Sequence, residues 1–306
     1  MKVVLFGYHA FGATALESLL EAGAEVVGLF THEDDPAENV WFRTPAPIAR
    51  AKGIPVYVPE DSSEPAYLDW LRGAEPDFFF SAYYRKLLPE EILRIPRFGA
   101  LNLHGSFLPK YRGRAPVNWA LVNGEKETGV TLHYMTKRAD AGDIVLQKRV
   151  LIDFEDTAQT LTLKVDRLAG EVVREAYPLL VQGKAPRFPQ DESRATKFGR
   201  RTPEDGRIDW EKSSLEIYNL VRAVTHPYPG AFTTLRGKKW FVWWARPVEA
   251  AAGQLGRIGF AEGGLCVGTA KGLLRVERCQ WEGDEEVGGT EFVKKARLQE
   301  GEVCGS

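Results

Sequence analysis

Hydrophobic positions along the chain follow two regimes that change over near residue 190. In the first, short runs rich in Val, Leu and Phe alternate with longer stretches whose apolar residues recur every three or four positions. Such runs suit strands buried on both faces, and the longer stretches suit the helices that cover them. This spacing predicts strands over 3–7, 25–31, 55–58, 77–82, 100–104, 129–135 and 144–152. Helices are predicted over 13–22, 65–72, 89–94 and 116–122, several of them opening on Pro, which suits a first helical turn. Asp156-Thr157 can cap a long helix over 158–182 that carries Leu161, Val165, Leu168, Val172 and Leu179 on one stripe. Gly183 marks its end.

The second regime begins after a stretch, 184–203, that is rich in Pro, Arg and Ser and has no hydrophobic period. One helix (213–224) is followed by short aromatic and β-branched runs over 231–236, 239–244, 256–260, 265–269 and 272–279, with Gly between them. That pattern suits a small barrel. The expected architecture is α/β: a Rossmann-like, mostly parallel sheet with helices on both faces, plus a small C-terminal OB-like β-barrel. The expected division is 1–190 for the catalytic domain, 191–203 for the linker and 204–306 for the barrel, and 306 residues suffice for two cores.

Charge narrows the function. Formal net charge is -2, and residues 201–306 hold 15 Lys and Arg against 15 Asp and Glu. A nucleic-acid partner would call for clustered cations, so this balance argues against one. Cys266, Cys279 and Cys304 are odd in number and lack metal-type spacing, and the N-terminus does not have the form of a secretion signal. No apolar run approaches the ~20 residues of a membrane span. The expectation is a cytoplasmic protein that holds no metal.

Candidate chemistry concentrates in Gly99–Arg114. Alternation along a strand puts Asn102 and His104 on one face, at the carboxyl end of a run that should be apolar. In open α/β sheets that end is where ligands bind. An amide can donate to an oxyanion and an imidazole can carry a proton, a combination that suits acyl transfer. A buried Asn-His pair hydrogen-bonded for structure is the competing reading of the spacing. Asp140, in Ala-Asp-Ala-Gly, is by itself a turn residue as readily as a catalyst, with Asp143 as its competitor. His9 falls in the first strand-to-helix loop, where a solvated side chain is expected, and that loop lacks the dinucleotide fingerprint. His32, His133 and His226 have no ligand partners at metal spacing.

Together these motifs resemble the folate-dependent formyltransferase family, whose signature is Asn-x-His followed by a Ser-Leu-Leu-Pro-x-x-x-Gly loop, with an Asp some 36 residues beyond the His. Here Phe107 replaces one Leu, and Asp140 occupies the distal position. The resemblance implies a formyl transfer from 10-formyltetrahydrofolate in which His104 is the acid/base, Asn102 stabilises the oxyanion and Asp140 pairs with His104. It implies a donor pocket at Lys86, Leu87 and Leu88, at Arg114, and at Thr136, Lys137, Arg138, Ala139 and Asp140.

Ser81–Arg85, Arg112–Trp119, Leu132–Asp140, Phe198–Asp205 and Val221–Phe232 are similar to the members acting on UDP-4-amino-4-deoxy-L-arabinose. The acceptor expected from that likeness is a nucleotide-linked amino sugar of lipid A modification. A nucleotide sugar needs cations for its diphosphate and an aromatic shelf for its base. Tyr84, Arg85, Tyr111, Arg112, Trp119 and Arg201 are the candidates. Methionyl-tRNA or another UDP- or dTDP-amino sugar is the alternative acceptor; hydrolysis of the formyl-folate and a folate-binding module are competing functions.

Overall fold

The computed structural model describes residues 1–36, 39–251, 253–261 and 263–305. Contacts divide the chain into two compact units, one of residues 1–116, 127–151 and 162–199, the other of 117–126, 152–161 and 200–306.

In the first unit, β1 (Lys2–Gly7), β2 (Glu25–Phe30), β3 (Val56–Tyr57), β4 (Phe78–Ala82) and β5 (Ala100–His104) pair in parallel. Arg112–Gly113 forms a short β6, and the large sheet is extended by β7 (Glu127–Tyr134), antiparallel to β5, and by β8 (Ile144–Leu151), antiparallel to β7. The spatial order of the seven strands is β3-β2-β1-β4-β5-β7-β8. Chain order reverses between β1 and β4, the kind of switch point beyond whose carboxyl ends open α/β sheets bind ligands. Helices α1 (His9–Glu21), α2 (Pro45–Ala51), α3 (Pro65–Gly73) and α4 (Glu90–Leu93) belong to this unit, α5 (Pro116–Val122) falls in the second unit from residue 117 on, and α6 (Ala158–Val181) belongs to this unit from residue 162 on.

Strand positions agree with the hydrophobic pattern because β1 and β4 are buried along nearly their whole length. Val4, Phe6, Phe30, Phe79, Leu68, Leu71 and Ile92 form one core layer, with the Phe6 ring 5.0 Å from that of Phe30 and 5.2 Å from that of Phe79. Helix α2 is not marked by the pattern, since Pro45 and Pro47 read as loop; they stand in a first turn that needs no N–H donors. The stretch read as an unstructured linker includes a strand, β9 (Lys197–Phe198), paired in parallel with β6.

The second unit contains α7 (Ser214–Val224) and one antiparallel sheet in the order β10 (Ala231–Leu235), β11 (Lys238–Val248), β14 (Leu273–Trp281), β13 (Gly264–Gly268) and β12 (Ile258–Ala261). A short β15 (Val287–Gly288) pairs with β14, and α8 (Gly289–Ala296) brings Phe292 flat against the buried Trp240, 5.3 Å between rings. Ser213 and Glu216 form a reciprocal capping box that starts α7. No helix among the described residues is long and apolar enough to cross a membrane.

Phe6 has no exposure and joins the β1 and β2 aromatic rings. Phe6→Ala should lower unfolding free energy by about 3–5 kcal/mol. Urea denaturation checks this, and a loss under about 1 kcal/mol would mean that the layer collapses around the gap.

Candidate functional site

Parallel pairing sets Ser81 of β4 beside Asn102, and the antiparallel ladder sets His133 of β7 opposite it. Polar side chains shielded from water need protein partners, and Asn102, His104 and His133 find theirs in one another, in backbone carbonyls and in Asp140. Asn102 Nδ2 lies 3.2 Å from His133 Nε2 and donates to Asp140 Oδ1 at 3.3 Å. The His133 Nδ1–H donates to the Tyr134 carbonyl at 2.8 Å, which leaves Nε2 free to accept from the Asn102 amide. On His104, Nε2 donates to the Tyr111 carbonyl at 2.8 Å while Nδ1 faces Asp140 Oδ1 at 3.6 Å.

Asp140 is the point where these contacts converge. It sits in the loop between β7 and β8 with a left-handed φ of 54°, and its Oδ2 accepts from Gly113 N at 2.8 Å. Burial by itself would raise its pKa, but attraction to His104, the His133 ring and the Gly113 amide outweigh it and hold the carboxyl well below its usual range. Close turns make room for the approach: a Cβ on Gly113 would lie 2.2 Å from the Phe198 carbonyl, and one on Gly142 would lie 1.9 Å from that of Tyr134. Asp143, the competing carboxylate, contributes its backbone carbonyl to Tyr134 N at 2.9 Å.

The other sequence candidates separate into distinct settings. Lys86 turns its Nζ to the carbonyls of Pro59 and Glu60, Leu87 is 79% exposed and Leu88 is buried. Arg114 Nη2 donates to the Arg85 carbonyl at 2.7 Å. That contact ties the donor-pocket candidates after β4 to those after β6. Thr136 Oγ1 bonds the Arg138 carbonyl at 2.9 Å, and Thr136, Lys137, Arg138 and Ala139 are exposed along the loop leading to Asp140.

Arg112 does not offer a cation to a substrate. It is buried, and its guanidinium is committed to Gln190 and Glu192 at 2.7–3.2 Å. Tyr111 is likewise buried, stacked on Phe198 at 5.0 Å, and acts through its carbonyl on His104. Tyr84 stacks on His32 at 4.5 Å, and Arg85 lies 4.6 Å over the Tyr8 ring. Arg201 lies 4.5 Å over the Trp119 ring, both within the second unit.

Two histidines depart from the sequence reading. His133 is 1% exposed and faces Asp140 at 3.6 Å; its signal was available, because a His on a doubly covered strand is as anomalous as Asn102. His9 is not solvated: it opens α1, is buried, and its ring lies 3.7 Å from Phe42 and 4.5 Å from Tyr83. His9, Tyr83, Tyr111 and Asp140 all have positive φ. Left-handed backbone at non-Gly residues collects at functional sites, where the surrounding fold holds it.

Comparison with known proteins follows the same division. Residues 1–177 match the family described as formyl transferase, and residues 200–297 match the formyl transferase C-terminal domain. Among solved structures, an N-formyltransferase from Helicobacter canadensis in complex with folinic acid and dTDP-3-aminofucose is similar at 19% identity and a TM-score of 0.70. The match covers 90% of this chain and 98% of that one. A sugar 3N-formyl transferase, WlaRD, solved with dTDP and 5-N-formyl-THF, aligns at 18% identity and a TM-score of 0.71, covering 93% and 99% of the two chains. Phosphoribosylglycinamide formyltransferase from Bacillus halodurans is 25% identical over 60% of this chain and 97% of its own, with a TM-score of 0.52.

Burial of His9, with Arg85 nearby, pushes its pKa from 6.5 down to about 3. The unfolded chain then takes up this proton near pH 6.5, whereas the folded chain does so only near about 3. Its contribution to stability is therefore complete above about pH 6.5 and drains away as pH falls through that window. His9→Gln should flatten the loss of urea midpoint between about pH 7 and about pH 5. An unchanged pH slope would show that His9 protonates freely in the folded state.

Proposed function

The chain belongs to the formyl transferase family, and from that premise we propose that it moves a formyl group from 10-formyltetrahydrofolate to the amine of a nucleotide-linked amino sugar, foremost UDP-4-amino-4-deoxy-L-arabinose. The observation that carries the reaction is the convergence of Asn102, His104 and Asp140 at the carboxyl end of β5, with Nδ2 and Nδ1 within 3.3 and 3.6 Å of one carboxylate oxygen. The sugar-type segments Ser81–Arg85 and Arg112–Trp119 support the acceptor, as does the even charge of residues 201–306.

In this mechanism the neutral amine attacks the formyl carbon, a C–N bond forms and the carbonyl oxygen becomes an oxyanion. The Asn102 N–H held beside Asp140 Oδ1 donates to that oxyanion as it forms, with no rotation of the amide. His104 takes the proton from the new C–N nitrogen on its Nδ1 edge and delivers it to N10 of the folate as the old C–N bond breaks. Asp140 holds the imidazole in register through this transfer. His133 keeps the Asn102 amide from rotating, its Nε2 lying 3.2 Å from Nδ2 while Nδ1 donates to the Tyr134 carbonyl. Lys86–Leu88, Arg114 and Thr136–Asp140 hold the folate. Arg85, on the loop after β4, is the cation of this unit assigned to the diphosphate.

Two measurements test this. Mass spectrometry of UDP- and dTDP-linked amino sugars incubated with enzyme and 10-formyltetrahydrofolate should show one formyl increment, foremost on the UDP-4-amino-4-deoxy-L-arabinose; tetrahydrofolate release with no formylated sugar would favour hydrolysis instead. Asn102→Ala should lower kcat by about 10²–10³ with little change in KM, because its contact with the oxyanion exists only near the transition state. A rise in KM alone would remove Asn102 from that role.

A further inference from the structure

Residues 188–198 lie between the two stretches that match the family, 1–177 and 200–297, yet they touch the site from two sides. At one end, Phe188 exchanges backbone hydrogen bonds of 2.8 and 2.9 Å with Ile144, just after the Asp140 loop. At the other, Thr196 accepts from Tyr111 N through Oγ1 and from Arg112 N through its carbonyl, at 2.8 and 2.9 Å, and β9 pairs with β6.

Between these anchors, Gln190 Nε2 donates to the carbonyls of Asp140 and Gly142 at 2.9 and 2.8 Å. Its Oε1 accepts from Arg112 Nε and Nη2 at 3.2 and 2.7 Å. A guanidinium only donates, so the amide has one orientation: oxygen to Arg112, nitrogen to the loop. Arg112 is itself fixed by Glu192, which also accepts from Arg138 of the same loop at 2.8 Å. A left-handed residue such as Asp140 needs surroundings that hold it, and here two backbone carbonyls of its turn hang from the half-buried Gln190 amide, itself seated on the buried Arg112.

We infer that Gln190 is a positioning residue of the transferase site: seated on the buried Arg112, it fixes the 138–142 loop so that the Asp140 carboxylate stays against Asn102 and His104. The inference rests on the role given to Asp140 above. Gln190 touches none of the reacting groups, and its effect is carried by Asp140.

A double-mutant cycle with Gln190→Leu and Asp140→Asn tests it, using 10-formyltetrahydrofolate and UDP-4-amino-4-deoxy-L-arabinose or the amino sugar that the mass-spectrometric screen returns. Gln190→Leu should lower kcat by about 10–100-fold, the scale of a misplacement near 1 Å, with both KM values moving less than about threefold. If Gln190 acts only through Asp140, Asp140→Asn/Gln190→Leu should be no slower than Asp140→Asn by more than about twofold. Should Gln190→Leu not fold, as judged by its melting curve, Gln190→Glu is measured the same way; it keeps the acceptor for Arg112 and loses the donors to both carbonyls. A Gln190 variant as fast as wild type, or single effects that multiply in the double variant, would overturn the inference while leaving the Asp140 role intact. An unchanged rate in Asp140→Asn would overturn both.

Discussion

A carboxylate removed from water must be surrounded by donors, and the first unit is organised around meeting that requirement for Asp140. The Gly113 amide supplies one hydrogen bond and the Asn102 amide another, with the His104 and His133 rings adding attraction. They come from three elements: Gly113 from β6, Asn102 and His104 from β5, and His133 from β7. The sheet places these elements side by side, and the glycines at 113 and 142 let backbone approach where a Cβ would collide. The same donors hold the Asp140 carboxyl well below its usual range against the opposing effect of burial.

Much of this was legible in the chain. Strand β5 and the pair Asn102 and His104 could be read because polar groups on a doubly covered strand are anomalous, although the spacing alone also allowed a pair hydrogen-bonded for structure. The carboxyl-end location then follows from the rules of open α/β sheets. What could not be read was polar and distant in sequence. Gln190 lies 50 residues from Asp140 and Arg112 lies 78 residues from Gln190, in a stretch whose Pro and Arg content suggested only a connection. His133 was overlooked for a different reason: judged for metal spacing, it showed none, although its ladder partner was Asn102.

Arginine shows the same boundary between pattern and structure. Arg112 and Arg85 look alike in a sequence as cations near a site, yet Arg112 is saturated inside the protein while Arg85, on the loop after β4, rests on the Tyr8 ring. Which cation faces a ligand is decided by burial and by the carboxylates that reach it first, and neither is written in local sequence. The second unit was clearer, because aromatic and β-branched alternation with intervening Gly leaves few options besides antiparallel strands.

The central claim is that proton transfer in the formyl step runs through His104. Single-turnover formyl transfer to the accepted amino sugar, measured for wild type and His104→Ala at saturating donor, examines it most directly. The account predicts a fall of about 10²–10⁴ in the rate of the chemical step, the contribution of a positioned acid/base. A His104→Ala enzyme that is correctly folded and within about threefold of wild type would contradict it.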